Sequence, residues 1–177
     1  ICAIAAESLS VIDPDFIFSV SHMGYISALL DECGVRDAAA KKKVTDCIRS
    51  RNAHDLASAA GEGADTEKIA RILRAGTEFS SALEILRAAS AGEGTRAAAD
   101  ELAALYESFA DAPYRDRIRL DLSIVNDVDY YTGIIFQGYV ARVPKMILSG
   151  GRYDGLLSRI GRTHNAMGFA LNLGELN

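Results

Sequence analysis

Ser149-Gly150-Gly151-Arg152-Tyr153-Asp154-Gly155-Leu156 is the run on which the fold turns. Residues 145–148 read as a strand, the double glycine as a turn, and the residues around 155–160 as a short helix. With no Cβ on either glycine, a ligand can approach the backbone there. Upstream stands Asp129-Tyr130-Tyr131-Thr132-Gly133-Ile134-Ile135-Phe136. In a strand Tyr130 and Tyr131 point to opposite faces, so one can line a pocket while the other packs. A phenol both donates to and accepts from a neutral imidazole, which suits Tyr131 and Tyr153 to recognition of such a ring. The plain alternative is that both are half-buried sheet tyrosines with satisfied hydroxyls. Downstream, Ala166-Met167-Gly168-Phe169-Ala170-Leu171 reads as the chain returning in a strand.

Working outward, Ile118, Leu120, Leu122 and Ile124 alternate with Arg117, Arg119, Asp121 and Ser123, a half-buried strand with one polar face. Residues 134–140 form another strand, followed by a loop at Pro144. Strands this closely spaced, with no long helix between them, predict an antiparallel sheet. Residues 22–112 read as nearly all helix. Asp65 caps one helix and Leu102, Leu105, Tyr106 and Phe109 form the clearest apolar stripe. The Gly-Glu-Gly segments at 61–63 and 92–94 read as loops. At the start, Ile1, Ile4, Ala5, Leu9 and Ile12 recur at helical spacing until Asp13-Pro14, residues 16–20 form a buried strand, and Ser21 is placed to cap the next helix. The expected fold is therefore α+β: an antiparallel sheet with flanking helices built from residues 1–21 and 113–177, and an all-helical insertion at 22–112.

Composition narrows the function classes. Of 177 residues 49% are hydrophobic and 24% charged, with a net charge of −5. That balance is ordinary for a globular protein and lacks the basic excess on which nucleic-acid binding usually rests. Lys41-Lys42-Lys43, Arg49 and Arg51 read as a solvated helix face. Cys2, Cys33 and Cys47 form no CxxC pair and are expected to be reduced thiols of a cytosolic protein. No apolar run is long enough to span a membrane. His22, His54 and His164 are too scattered for a metal site, and His22 is expected to be structural. The chain starts at Ile1 without a methionine and is read as a fragment of a longer protein.

The two glycine- and tyrosine-bearing runs, with 166–171 behind them, resemble the histidine-binding signatures and third class II motif of histidyl-tRNA synthetases. The resemblance is strong over about 118–174. It extends more faintly to 1–34, where Val20-Ser21-His22-Met23-Gly24 is similar to a strand-to-helix junction of the family's regulatory paralogues. It implies a class II synthetase-like core lacking its first two motifs, with Tyr130, Tyr131, Gly150, Gly151 and Tyr153 around a histidine.

Two departures carry more weight than the matches. A synthetase of this family reads Arg-Gly-Leu-Asp-Tyr-Tyr; here Asn126-Asp127-Val128-Asp129-Tyr130-Tyr131 stands, with an amide in place of the guanidinium. The third motif reads Gly-Leu-Glu-Arg-Leu in a synthetase and Asn172-Leu173-Gly174-Glu175-Leu176 here, with an acid where an arginine holds phosphate. Losing one preorganised donor to developing phosphate charge costs about 3–4 kcal/mol, and here two are replaced. The resemblance thus implies a protein that is not an aminoacyl-tRNA ligase, similar to the regulatory subunits of ATP phosphoribosyltransferase in histidine biosynthesis. Implied partners are the short-form catalytic subunit, a second copy of itself and free histidine. No cofactor, metal, membrane or nucleic acid is implied. Arg152 is a candidate to supply some of the missing positive charge. The alternatives are a divergent histidyl-tRNA synthetase core and a free-standing histidine-binding scaffold.

Overall fold

The computed structural model describes residues 1–125, 131–154 and 166–176. Helix α1 (Cys2–Ile12) leads into β1 (Ile17–His22) and α2 (Met23–Glu32). Then come α3 (Ala38–Arg49), α4 (Leu56–Ala60), α5 (Thr66–Leu73), α6 (Phe79–Ala89) and α7 (Glu93–Glu107). A 3-10 turn, Arg115–Arg117, enters β2 (Ile118–Leu120), followed by β3 (Ile134–Tyr139), β4 (Leu148–Arg152), β5 (Met167–Leu171) and a second 3-10 turn, Leu173–Leu176. The architecture is α+β, with one sheet ordered β2-β1-β3-β4-β5 among the described residues.

From β1 to β5 the sheet is antiparallel, as expected, but the edge strand β2 runs parallel to β1, pairing Phe18 with Ile118 and Val20 with Leu120. The connection explains this. Parallel neighbours need a long crossover, and α2–α7 supply it between the two strands. β2 is also shorter than its alternation suggests. The Asp121 carboxylate accepts from the Ser123 N–H at 2.9 Å and the Ser123 hydroxyl at 2.6 Å, turning the chain out of the strand.

One face of the sheet is packed. Leu9 of α1 sits where a Cβ on Gly138 would be. Phe18 meets Phe136 and Phe109 at centroid distances of 5.1 and 6.4 Å. The buried side of α1 is Cys2, Ala5, Ala6 and Leu9, whereas Ile4 of the expected stripe is 57% exposed. Small residues on the buried side let the helix approach the strands closely.

The helices start where local chemistry supplies an acceptor. Asp37 and Asp65 cap α3 and α5, and Glu78 caps α6 through the N–H groups of Ser80 and Ser81. At α2 the cap is His22, whose Nδ1 accepts from the Tyr25 N–H at 3.1 Å. Ser21, the expected cap, lies inside β1 with its hydroxyl buried and without a hydrogen-bond partner. The second Gly-Glu-Gly run is not a loop: Gly92 precedes α7 and Glu93–Gly94 form its first turn. Glu32 makes this possible by accepting from the backbone N–H groups of Ala91 (3.2 Å) and Gly92 (2.9 Å). Cys2, Cys33 and Cys47 are free and buried, and no helix among the described residues is long and apolar enough to cross a membrane.

Candidate histidine site

The double glycine is not a turn. Both residues lie inside β4, Gly150 paired with Phe136 and Phe169, and Gly151 with Ile135 and Gly168. Successive strand residues face opposite ways. A Cβ on Gly150 would meet the Phe136 ring, Phe169 Cβ and the Gly168 carbonyl oxygen at 2.5–2.6 Å, so this glycine belongs to the packed face. A Cβ on Gly151 would stand 2.7 Å from the Tyr131 ring, and one on Gly168 would stand 2.8 Å from the Tyr153 hydroxyl oxygen. Two cross-strand partners without side chains thus make a trough on the second face, in which the Tyr131 and Tyr153 side chains lie. Tyr131 lies over one glycine and Tyr153 over the other. Of the residues predicted to surround a histidine, the structure brings Tyr131, Gly151 and Tyr153 together and turns Gly150 away. Gly168 is the member that sequence reasoning missed. Its pairing with Gly151 was a usable signal, since two glycines in neighbouring strands at one register vacate the same face.

Tyr131 stands just before β3 rather than within a strand. Its position is set by the next two residues: Thr132 donates from its N–H to the Arg152 carbonyl at 3.0 Å, and the Gly133 carbonyl accepts from the Met23 N–H at 2.9 Å. Tyr153 is anchored by its own N–H to the Ala166 carbonyl at 2.9 Å. Tyr130 and Asn126 lie outside the described residues.

Charge gathers on the other side of this turn. Arg152 Nε donates to Asp154 Oδ2 at 2.6 Å, and Arg152 Nη1 is 3.6 Å from Glu101 Oε2. The same Glu101 oxygen is 3.2 Å from His22 Nε2. Because His22 Nδ1 accepts from the Tyr25 N–H, the ring proton sits on Nε2 and is donated to Glu101. Burial holds the His22 pKa below its ordinary value, against the pull of the Glu101 carboxylate. The Arg152 charge is therefore already engaged by two carboxylates. Glu175, in the 3-10 turn after β5, is paired with Lys145 at 3.2 Å. Beside the trough, on the same face, Ser19, Gln137 and Tyr139 line an open cavity of about 490 Å³ together with Arg49 and Arg119.

Residues 1–176 match the histidyl-tRNA synthetase family model. The chain belongs to that family. Within the histidyl-tRNA synthetase family it is 32% identical to the ATP phosphoribosyltransferase regulatory subunit of Moorella thermoacetica, over 99% of this chain and 46% of that protein. It thus spans about half the length of such relatives. Among solved structures it is similar to an ATP phosphoribosyltransferase regulatory subunit/histidyl-tRNA synthetase from Bacillus halodurans, with a TM-score of 0.77 and 26% identity over 90% of this chain and 43% of that one. The fold is shared with a chain of the ATP phosphoribosyl transferase (HisG:HisZ) complex from Thermotoga maritima, with a TM-score of 0.75 and 18% identity over 99% and 60% of the two chains.

Proposed function

We propose that this chain is the synthetase-like core of a regulatory subunit of ATP phosphoribosyltransferase. In this reading the whole protein activates the short-form catalytic subunit in histidine biosynthesis and carries its feedback by free histidine. Residues 1–21 and 113–177 form the core, 22–112 its helical insertion, and two copies pair. The observation that carries the reading is the likeness to a named regulatory subunit along nearly the whole chain. The site supports it in kind. Tyr131 and Tyr153 stand over the paired glycines, where their phenols can meet an imidazole, while Glu175, at the position of a synthetase arginine, repels phosphate rather than holding it. The protein then recognises histidine without activating it.

Isothermal titration of L-histidine into the full-length protein, beside ATP–pyrophosphate exchange, tests this. The expected result is saturable binding without histidine-dependent exchange. Robust exchange would establish a synthetase instead. Tyr131→Phe and Tyr153→Phe each remove one phenol hydroxyl from the trough and should weaken binding about fivefold, the worth of one neutral hydrogen bond.

A further inference from the structure

We propose that Glu101 is a positioning residue for the histidine trough. It ties α7 to the start of α2 through His22 and to the end of β4 through Arg152, and so fixes the turn that carries Tyr131. The inference rests on the histidine-binding reading above and adds to it a route by which the helical stretch between β1 and β2 reaches the pocket.

The geometry is a clamp around Thr132–Gly133. On one side His22 closes β1 and caps α2, and the next residue, Met23, donates its N–H to the Gly133 carbonyl. On the other side Arg152 closes β4, its carbonyl takes the Thr132 N–H, and its side chain covers Gly133, where a Cβ would lie 3.1 Å from Arg152 Cδ. A Cβ on Gly24 would stand 3.0 Å from the His22 ring and 3.4 Å from the Thr132 carbonyl oxygen, so the start of α2 lies close against the turn. Among the described residues, one carboxylate oxygen joins both walls: Glu101 Oε2, 3.2 Å from His22 and 3.6 Å from Arg152.

Glu101 itself is held. The pair α2 and α7 runs antiparallel and is pinned at both ends, by His22–Glu101 at one and at the other by Glu32. That carboxylate accepts from Ala91, Gly92 and the Thr95 hydroxyl, and from Lys68 of α5. A displacement of α7 along α2 therefore has to move His22, Arg152 or both. Arg152 bonds directly to Thr132, and Met23, the neighbour of His22, bonds to Gly133; these are the two residues after Tyr131, whose ring rests on Gly151. Thus Glu101, through His22 and Arg152, sets where the ligand-facing tyrosine stands.

The test is histidine titration of the full-length protein by calorimetry, with ligand-free melting recorded alongside. Glu101→Gln keeps the shape but removes the charge. It should raise the histidine Kd about tenfold, within the range seen for residues that act through a shared element, while the ligand-free melting temperature stays within about 2 °C. Arg152→Lys should give a comparable shift, and the double variant should lose little beyond either single change, because both act through one clamp. An unchanged Kd in Glu101→Gln beside a binding wild type overturns the inference and leaves the histidine reading standing. So do fully additive losses, or a lowered melting temperature with unchanged Kd, which would make the pair purely structural. No binding by the wild type removes the histidine reading, and the inference falls with it.

Discussion

Gly150→Ala is expected to lower the stability of the protein by about 3 kcal/mol, read as a fall in the denaturation midpoint in urea. The new methyl group would be stopped on three sides at once. Two contacts, the buried Phe136 and the half-buried Phe169 at 2.6 Å, are side chains that pack against each other with ring centroids 6.5 Å apart. The third, the Gly168 carbonyl oxygen at 2.5 Å, is backbone of the neighbouring strand and can move only if β4 and β5 part. Gly151→Ala separates the two roles of the glycine pair. Its methyl group meets the Tyr131 ring at 2.7 Å, which can turn aside, and the Ile134 carbonyl oxygen at 2.9 Å, a single backbone contact longer than the one at Gly150. That variant should lose more histidine affinity and less stability than Gly150→Ala. Equal stability losses would contradict the assignment of the two glycines to opposite faces.

Glu32→Gln should cost about 3 kcal/mol at neutral pH, and the loss should vanish in acid. Glu32 joins three helices by accepting from Lys68 at 2.9 Å, the Thr95 hydroxyl at 2.5 Å and the backbone of Ala91 and Gly92. Burial alone would raise its carboxyl; the hydrogen bonds from Thr95, Lys68 and the backbone of Gly92 and Ala91 outweigh it and hold the pKa at about 2, against an ordinary 4.5. The lower value in the folded protein means that the unfolded chain binds the proton first. Stability from this group is therefore full above about pH 4.5 and is lost as the pH falls through about 2. The difference between the two values corresponds to about 3 kcal/mol. Denaturation midpoints of wild type and Glu32→Gln, measured from pH 7 down to pH 2, should converge over that window. Parallel curves would show that Glu32 is not held in this way.

Much of this fold is legible in the sequence. The strands at 134–140 and 166–171, the existence of α1, the Asp65 cap of α5 and the stripe of α7 come from local period and caps, which need no knowledge of distant residues. What stays hidden is long-range. Nothing local to 92–94 says that Glu32 will accept its N–H groups and let a Gly-Glu-Gly run open a helix. Nothing near 118–120 says that the strand will lie parallel to β1, because the crossover that permits it is a whole helical array. Ser21 is the better cap by residue type, yet β1 runs one residue further and His22 takes the position. The site divides in the same way. Of the proposed site, Tyr131, Gly151 and Tyr153 can be named from the strength of their motifs. That Gly150 faces the core is a matter of strand phase, which is fixed only because β4 runs through both glycines. Glu101 carries no motif at all, since a helix-face acid acquires meaning only from His22 and Arg152 across the fold.

The proposed function is that of a regulator rather than a ligase. Its most direct test is phosphoribosyl-ATP formation by the short-form catalytic subunit, with and without the full-length protein and each with and without histidine. Activity should rise when the protein is added and fall again when histidine is. A catalytic subunit that responds to a known regulatory partner but shows no change with this protein would contradict it.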